Sequence, residues 1–243
     1  MADIINQLAG ASPELVQLRA RRPDALANAQ LSFQALLEPE EPGTFSYAQR
    51  YAVAAFLSGI YQAKSAGEFY GDLLADEATE TLQGAVQAAI EHGTTSGPYA
   101  APADISGEGA GFITFGEIVG LDERLAAAFD FAHLLAFHPK DASAEAIGHL
   151  QAAGWSEDDI VSLSQLIAFL SFQLRVIHGL KVLGGDESTA PETTRIEGAS
   201  DPGWQLHEHT LSPETHAPQG FVAHSLGWKP WFTPLAKEDF TQE

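Results

Sequence analysis

Apolar residues recur at spacings of three and four along most of the chain, the pattern of helices with one buried face. In SPELVQLRARRPDALANAQLSFQALL (residues 12–37) the period breaks at Pro23, which ends one short helix and begins another. FSYAQRYAVAAFLSGIYQA (45–63) follows, with Ser46 as an N-cap and a nearly continuous apolar run from Ala52 to Leu57. A helix apolar on all sides belongs at the centre of a bundle. LADEATETLQGAVQAAIEHG (74–93) predicts one amphipathic helix, with acids in its early turns and His92-Gly93 at its end.

Residues 93–111, GTTSGPYAAPADISGEGAG, have the Gly, Pro, Ser and Ala content of a loop. LDERLAAAFDFAHLLAFHP (121–139) predicts a further helix, ended near His138 by Pro139. SAEAIGHLQAAGW (143–155) is a short helix from Ser143 to Gly154. The long pattern from Ser156 to Gly184-Gly185 opens with Ser156 and Asp159 as a capping box, then runs apolar through Ile160, Leu163, Leu166, Ile167, Leu170, Leu174 and Ile177. Residues 184–203 form a polar, Gly/Pro-rich connector. Residues 204–243 form an irregular arm with three Trp, including Trp228 and Trp231, large rings that call for docking on the domain or a partner subunit. No strand series stands out, so the predicted class is all-α: a helical domain over 1–183, the connector, and the arm.

Charge narrows the partners. The 243 residues carry 33 acidic and 12 basic side chains, a formal net charge of −21. Such a chain repels phosphate backbones and anionic membrane surfaces, which argues against nucleic-acid and membrane partners. There is no cysteine, which removes disulfides, thiolate metal sites and thiol nucleophiles together. The N-terminal MADIINQLAG lacks the basic and apolar layout of a secretory signal, and no uninterrupted apolar run approaches the length of a membrane span. Cytoplasmic residence is the default expectation.

EAIGHLQAAGWSEDDIVSLSQLIAFLSFQLRVIHGLKVL resembles the C-terminal helix pair of alkylhydroperoxidase D-like proteins. These belong to the peroxidase-related branch of the carboxymuconolactone decarboxylase superfamily. The matching elements are the turn Ala152-Ala153-Gly154-Trp155-Ser156, the later Phe172-Gln173-Leu174-Arg175, and the closing Gly179-Leu180. The preceding 121–139 segment and the terminal GWKPWFTPL are similar to elements of the same branch, and 44–183 match best. The resemblance implies an alkylhydroperoxidase-type helical bundle, assembly into homodimers, trimers or hexamers, and peroxidase or decarboxylase activity. Redox members of the family carry a Glu, a Cys-x-x-Cys twelve residues on, and a His four residues past the second Cys. On that register Tyr51 takes the Glu position, Ala63 and Ala66 the two Cys positions, and Tyr70 the His position. Without sulfur there is no sulfenic acid and no disulfide cycle.

Tyr51, Glu68 and Tyr70 are the catalytic candidates that this degenerate site leaves, able to act as acid and base or to bond a polar ligand. The same residues also read as packing: tyrosines filling vacated volume, with Lys64 and Glu68 a solvent-facing i,i+4 pair. His133 and His138 sit five apart, off the spacing of a helical metal pair, and read with His149 and His178 as structural. The arm's His207, His209, His216 and His224 match no zinc signature, although His-x-His in an extended strand can share a face. Arg175, in an apolar helix, is expected to pair with a carboxylate. No cofactor motif is present. Three classes follow: a non-redox protein that binds a small molecule or serves as an accessory subunit, a thiol-independent acid–base enzyme on a small organic acid, and a peroxidase as in the family.

Overall fold

A helix apolar on every side needs neighbours on every side, and the bundle is built to supply them. The computed structural model describes residues 3–94, 113–137, 139 and 142–186. All of these fall in one of the chain's two units, Met1–Thr189; the other, Ala190–Glu243, lies outside the described residues, as do the predicted arm, most of the connector and most of the 93–111 loop. Among the described residues there are nine helices and no strands, and the class is all-α. The helices are α1 (Ile4–Ala9), α2 (Pro13–Ala20), α3 (Pro23–Leu37), α4 (Tyr47–Ile60), α5 (Lys64–Glu77), α6 (Glu80–Gly93), α7 (Glu123–Phe137), α8 (Ala144–Ala152) and α9 (Glu157–Leu183).

The predicted central helix is α4, which packs against α5, α6, α7 and α9. Residues 50–58 are all buried, from Arg50 to Ser58. Ser46 caps it in a full capping box with Gln49. Phe56 stacks on Phe129 of α7, ring centroids 4.2 Å apart, and meets Phe115 edge-on at 5.0 Å. Gly59 marks where α6 comes closest, since a Cβ there would lie 2.6 Å from Ile90. Arg50, buried in the same helix, clamps the α3–α4 connection by donating to the carbonyls of Leu36 (2.7 Å) and Phe45 (2.9 Å). With a longer contact from the third nitrogen to the Pro42 carbonyl (3.4 Å), each guanidinium nitrogen meets a backbone carbonyl.

Two predicted boundaries move. The helix expected over 45–63 stops at Ile60, and the chain turns through Gln62 in the left-handed region (φ 55°). Backbone bonds from Gln62 N–H to the Gly59 carbonyl and Ala63 N–H to the Ser58 carbonyl close this turn. The single helix expected over 74–93 is two: α5 ends at Glu77, and Thr79 caps α6 by accepting from Leu82 N–H. Thr79 and Ser46 play the same role, but acids on both sides of Thr79 mask the break as one amphipathic run. The N-terminal α1 adds a helix, capped by Asp3 and closed by Gly10 at φ 60°.

Ser143 and Ser156 cap α8 and α9 as predicted, and Gly184 ends α9. Half of the expected capping box at Ser156 is absent, because Asp159 serves elsewhere. Its carboxylate accepts from Arg124 of α7 (2.7 Å) and from the Thr44 hydroxyl (2.5 Å), tying α9 to α7 and to the approach of α4. Arg124 also donates to the Gly154 carbonyl (3.0 Å) and lies 4.3 Å over the Trp155 ring. Among the described residues Arg175 pairs with no carboxylate. It is exposed, lies 5.4 Å from the Tyr61 ring centroid and donates to the Tyr61 hydroxyl at 3.2 Å. At 27 residues, α9 is long and apolar enough to cross a membrane by length and composition. Half of its most apolar window is buried against the bundle.

Candidate functional site

Two places gather chemistry-bearing residues. The first is the α4–α5 turn, where the resemblance places the redox centre of the family's thiol members. Ala63 is the N-cap residue of α5 and makes no side-chain cap bond; Ala66, one turn in, is fully buried. Tyr70, a turn further, is also fully buried and donates its hydroxyl to Gln173 Oε1 of α9 at 2.5 Å. Burial, only partly offset by the Gln173 bond, pushes the Tyr70 hydroxyl far above the usual tyrosine range. Among the described residues the same amide's Nε2 and the buried Ser58 hydroxyl have no hydrogen-bond partner. Between the two alanines, Ser65 donates to the Leu8 carbonyl (2.8 Å) and accepts from Lys181 Nζ (2.8 Å). The turn is thus stitched to α1 and α9.

The three catalytic candidates do not converge. Tyr51 is buried on α4 beside Tyr47, ring centroids 6.3 Å apart. Burial, helped by the charges of Glu38 and Glu77, raises its hydroxyl. Glu68 is exposed on α5, and no hydrogen bond or ion pair among the described residues links it to either tyrosine or to Lys64.

The second place is a cleft of about 870 Å³ between α7, α8 and residues 113–117, within the size range of small-molecule sites. One face of α7 supplies its floor, with Ala126, Ala127, Asp130, Phe131 and Leu134 following the helical spacing of three and four. Asp130 is the single charged residue between Arg124 and Phe137, and it organises the wall. Its Oδ1 accepts from Phe115 N–H (2.8 Å) and its Oδ2 faces His149 Nε2 of α8 (3.1 Å). Burial raises the Asp130 carboxyl above the ordinary aspartate range, against the lowering effect of those two partners. His149 keeps 59% of its side chain exposed while Asp130 keeps 19%, so the imidazole stands at the edge and the carboxylate behind it. An Nε2–H donated to Asp130 leaves Nδ1 as an acceptor toward solvent. His133, also on the cleft wall, is buried, with Nε2 3.0 Å from the Gly93 carbonyl.

The sequence pointed to the first place and not the second. His149 read as structural, and Asp130 passed unremarked; the available signal was one acid interrupting the apolar AAAFDFAHLL. Among the described residues no group of three or more His, Asp or Glu is placed to hold a metal ion. His138 and the arm's His207, His209, His216 and His224 lie outside the described residues.

The protein defined by this geometry is an all-α helical bundle with a side cleft. No protein-family model matches the chain, and no curated protein matches its sequence significantly. Among solved structures, it is similar to an uncharacterized peroxidase-related protein from Silicibacter sp. TM1040, at 16% identity over 73% of this chain and 78% of that one, with a TM-score of 0.49.

Proposed function

We propose that this is a non-redox, small-molecule-binding protein of the alkylhydroperoxidase D-like kind, acting through the α7–α8 cleft. One observation carries the reading: the chain's concave, largely apolar cleft lies on α7 and α8, while the register of the redox centre holds alanine and a buried tyrosine. The order and spacing of the 152–156, 172–175 and 179–180 elements support the family, and the cysteine-free sequence supports the loss of thiol chemistry. Peroxide consumption with a dithiol reductant tests the redox part. The expected rate is that of buffer, and robust turnover overturns the reading. A thermal-shift screen of small organic molecules tests binding, with hits expected to fail against cleft variants such as Ala127→Trp.

The Asp130–His149 pair favours a second reading, a thiol-independent acid–base enzyme. Tyr70 has its hydroxyl committed to Gln173 and Glu68 stands on the surface, whereas His149 has an acid behind one ring nitrogen and, among the described residues, no hydrogen bond on the other. A carboxylate fixing the tautomer of an imidazole is how general bases are oriented. Solvent-deuterium exchange into a bound carbon acid, lost in His149→Gln, tests it; exchange that persists in that variant overturns it.

A further inference from the structure

The charges on the cleft wall name a ligand class. Glu117, Glu123, Asp130 and Glu145 line it, and among the described residues no lysine or arginine does. Asp130 stands apart from the other three: they are exposed, whereas it is recessed above Ala127 and Phe131 and fixed from both sides by Phe115 N–H and His149. Among the described residues His149 and His133 are the remaining titratable groups on the wall, and His133 already faces the Gly93 carbonyl. A carboxylate in a recessed, partly desolvated site attracts a cation more strongly than one in open water. It repels an organic anion by the same factor. The net charge of −21 draws cations toward the whole surface.

Resting on the small-molecule reading above, we propose that the α7–α8 cleft binds an organic cation, an amine with an apolar body. The ammonium sits at Asp130, at the His149 edge, and the hydrocarbon lies on the Ala126, Ala127, Phe131 and Leu134 face. A small organic acid is the wrong charge for this wall.

The test compares phenethylamine, phenethyl alcohol and hydrocinnamate, which share a ring and differ in charge. Binding to the full chain is followed through the methyl signals of Ile113, Ala127 and Leu134. The amine is expected to bind at least about tenfold more tightly than hydrocinnamate, with the alcohol between them. Asp130→Asn keeps an acceptor for Phe115 N–H and removes the charge, so it is expected to weaken the amine about tenfold and leave the alcohol unchanged. Its circular dichroism and melting midpoint confirm that it folds, and Asp72→Asn, exposed on α5 and off the cleft wall, serves as the control with little effect. Should hydrocinnamate or the alcohol bind as tightly as the amine, or Asp130→Asn leave the amine untouched, the cation assignment is overturned while the cleft stands as a binding site. Cleft methyls that respond to none of the three overturn both the assignment and the proposed function.

Discussion

Replacing Tyr70 by Phe tests whether the α4–α5 region is held together as packing. The substitution removes one hydroxyl from a fully buried ring and leaves Gln173 Oε1 without its 2.5 Å donor. The Gln173 Nε2 already lacks a partner, so the whole amide would then be buried and unpaired. Leaving a buried polar group unsatisfied costs about 1–3 kcal/mol, more than the net worth of an ordinary hydrogen bond. For a folded unit of this size that lowers the melting midpoint by roughly 2–4 °C per kcal/mol. Urea unfolding followed by far-ultraviolet circular dichroism measures it. Gln173→Leu alone strands the Tyr70 hydroxyl and carries a similar cost. The double variant removes both polar groups and is expected to lose clearly less than the sum, with a coupling of about 1 kcal/mol. Spectrophotometric titration supplies an independent check, because burial raises the Tyr70 hydroxyl. A group bound more tightly to its proton in the folded state stabilises fully below the unfolded pKa, and that stability is lost as pH rises beyond it, here above about 10. Tyr70→Phe therefore loses its own contribution to the alkaline fall in stability. Strict additivity of the two substitutions, or Tyr70→Phe at wild-type stability, would refute the argument.

Asp159 titrates the other way. Burial alone would raise its carboxyl, but Thr44 and Arg124 outweigh that and hold it below the usual range. The stability it contributes is present above the unfolded value and lost as pH falls through the folded one, so Asp159→Asn should be weaker than wild type at neutral pH, with the gap closing below about pH 4 in acid-unfolding curves. Asp130 has a raised carboxyl, so its ionisation opposes folding at neutral pH and that opposition is relieved as pH falls. Asp130→Asn should accordingly melt at or above the wild-type temperature at pH 7 by calorimetry, since the exposed His149 pair it gives up is worth only about 0–1 kcal/mol. Gly59→Ala gains about 1 kcal/mol of helix propensity and meets Ile90 at 2.6 Å, a clash of the kind that costs about 1–3 kcal/mol. A net loss in urea unfolding is expected, with recovery in the Gly59→Ala, Ile90→Ala pair relative to the added single losses.

The helix content was legible because the code for it is local: Ser46, Ser143 and Ser156 announce starts, and Pro23 and Gly184 announce ends. The turn at Gln62 was not, because a left-handed glutamine carries none of the usual Gly or Asn signal and is held by backbone bonds back to Ser58 and Gly59. Arg175 misled for a related reason. Its position in an apolar helix suggested burial, whereas α9 is apolar on its outer side as well, with Phe172 and Val182 both about half exposed. The cleft was the least visible. Asp130, Phe115 and His149 belong to three different segments, and only the packing of α8 on α7 brings them together.

The Tyr70–Gln173 bond joins residues 103 positions apart, and it bears on redesign as much as on stability. On the register of the resemblance, thiol chemistry installed in this chain would need sulfur at 63 and 66 and a base at 70. A sulfur at 66 would be sealed from peroxide by the burial Ala66 now enjoys. A histidine at 70 would have to replace the hydroxyl that Gln173 now depends on. Cysteines placed at 63 and 66 would therefore set a sealed sulfur one turn from a tyrosine already committed to α9, and no thiol-peroxidase turnover is expected of that variant.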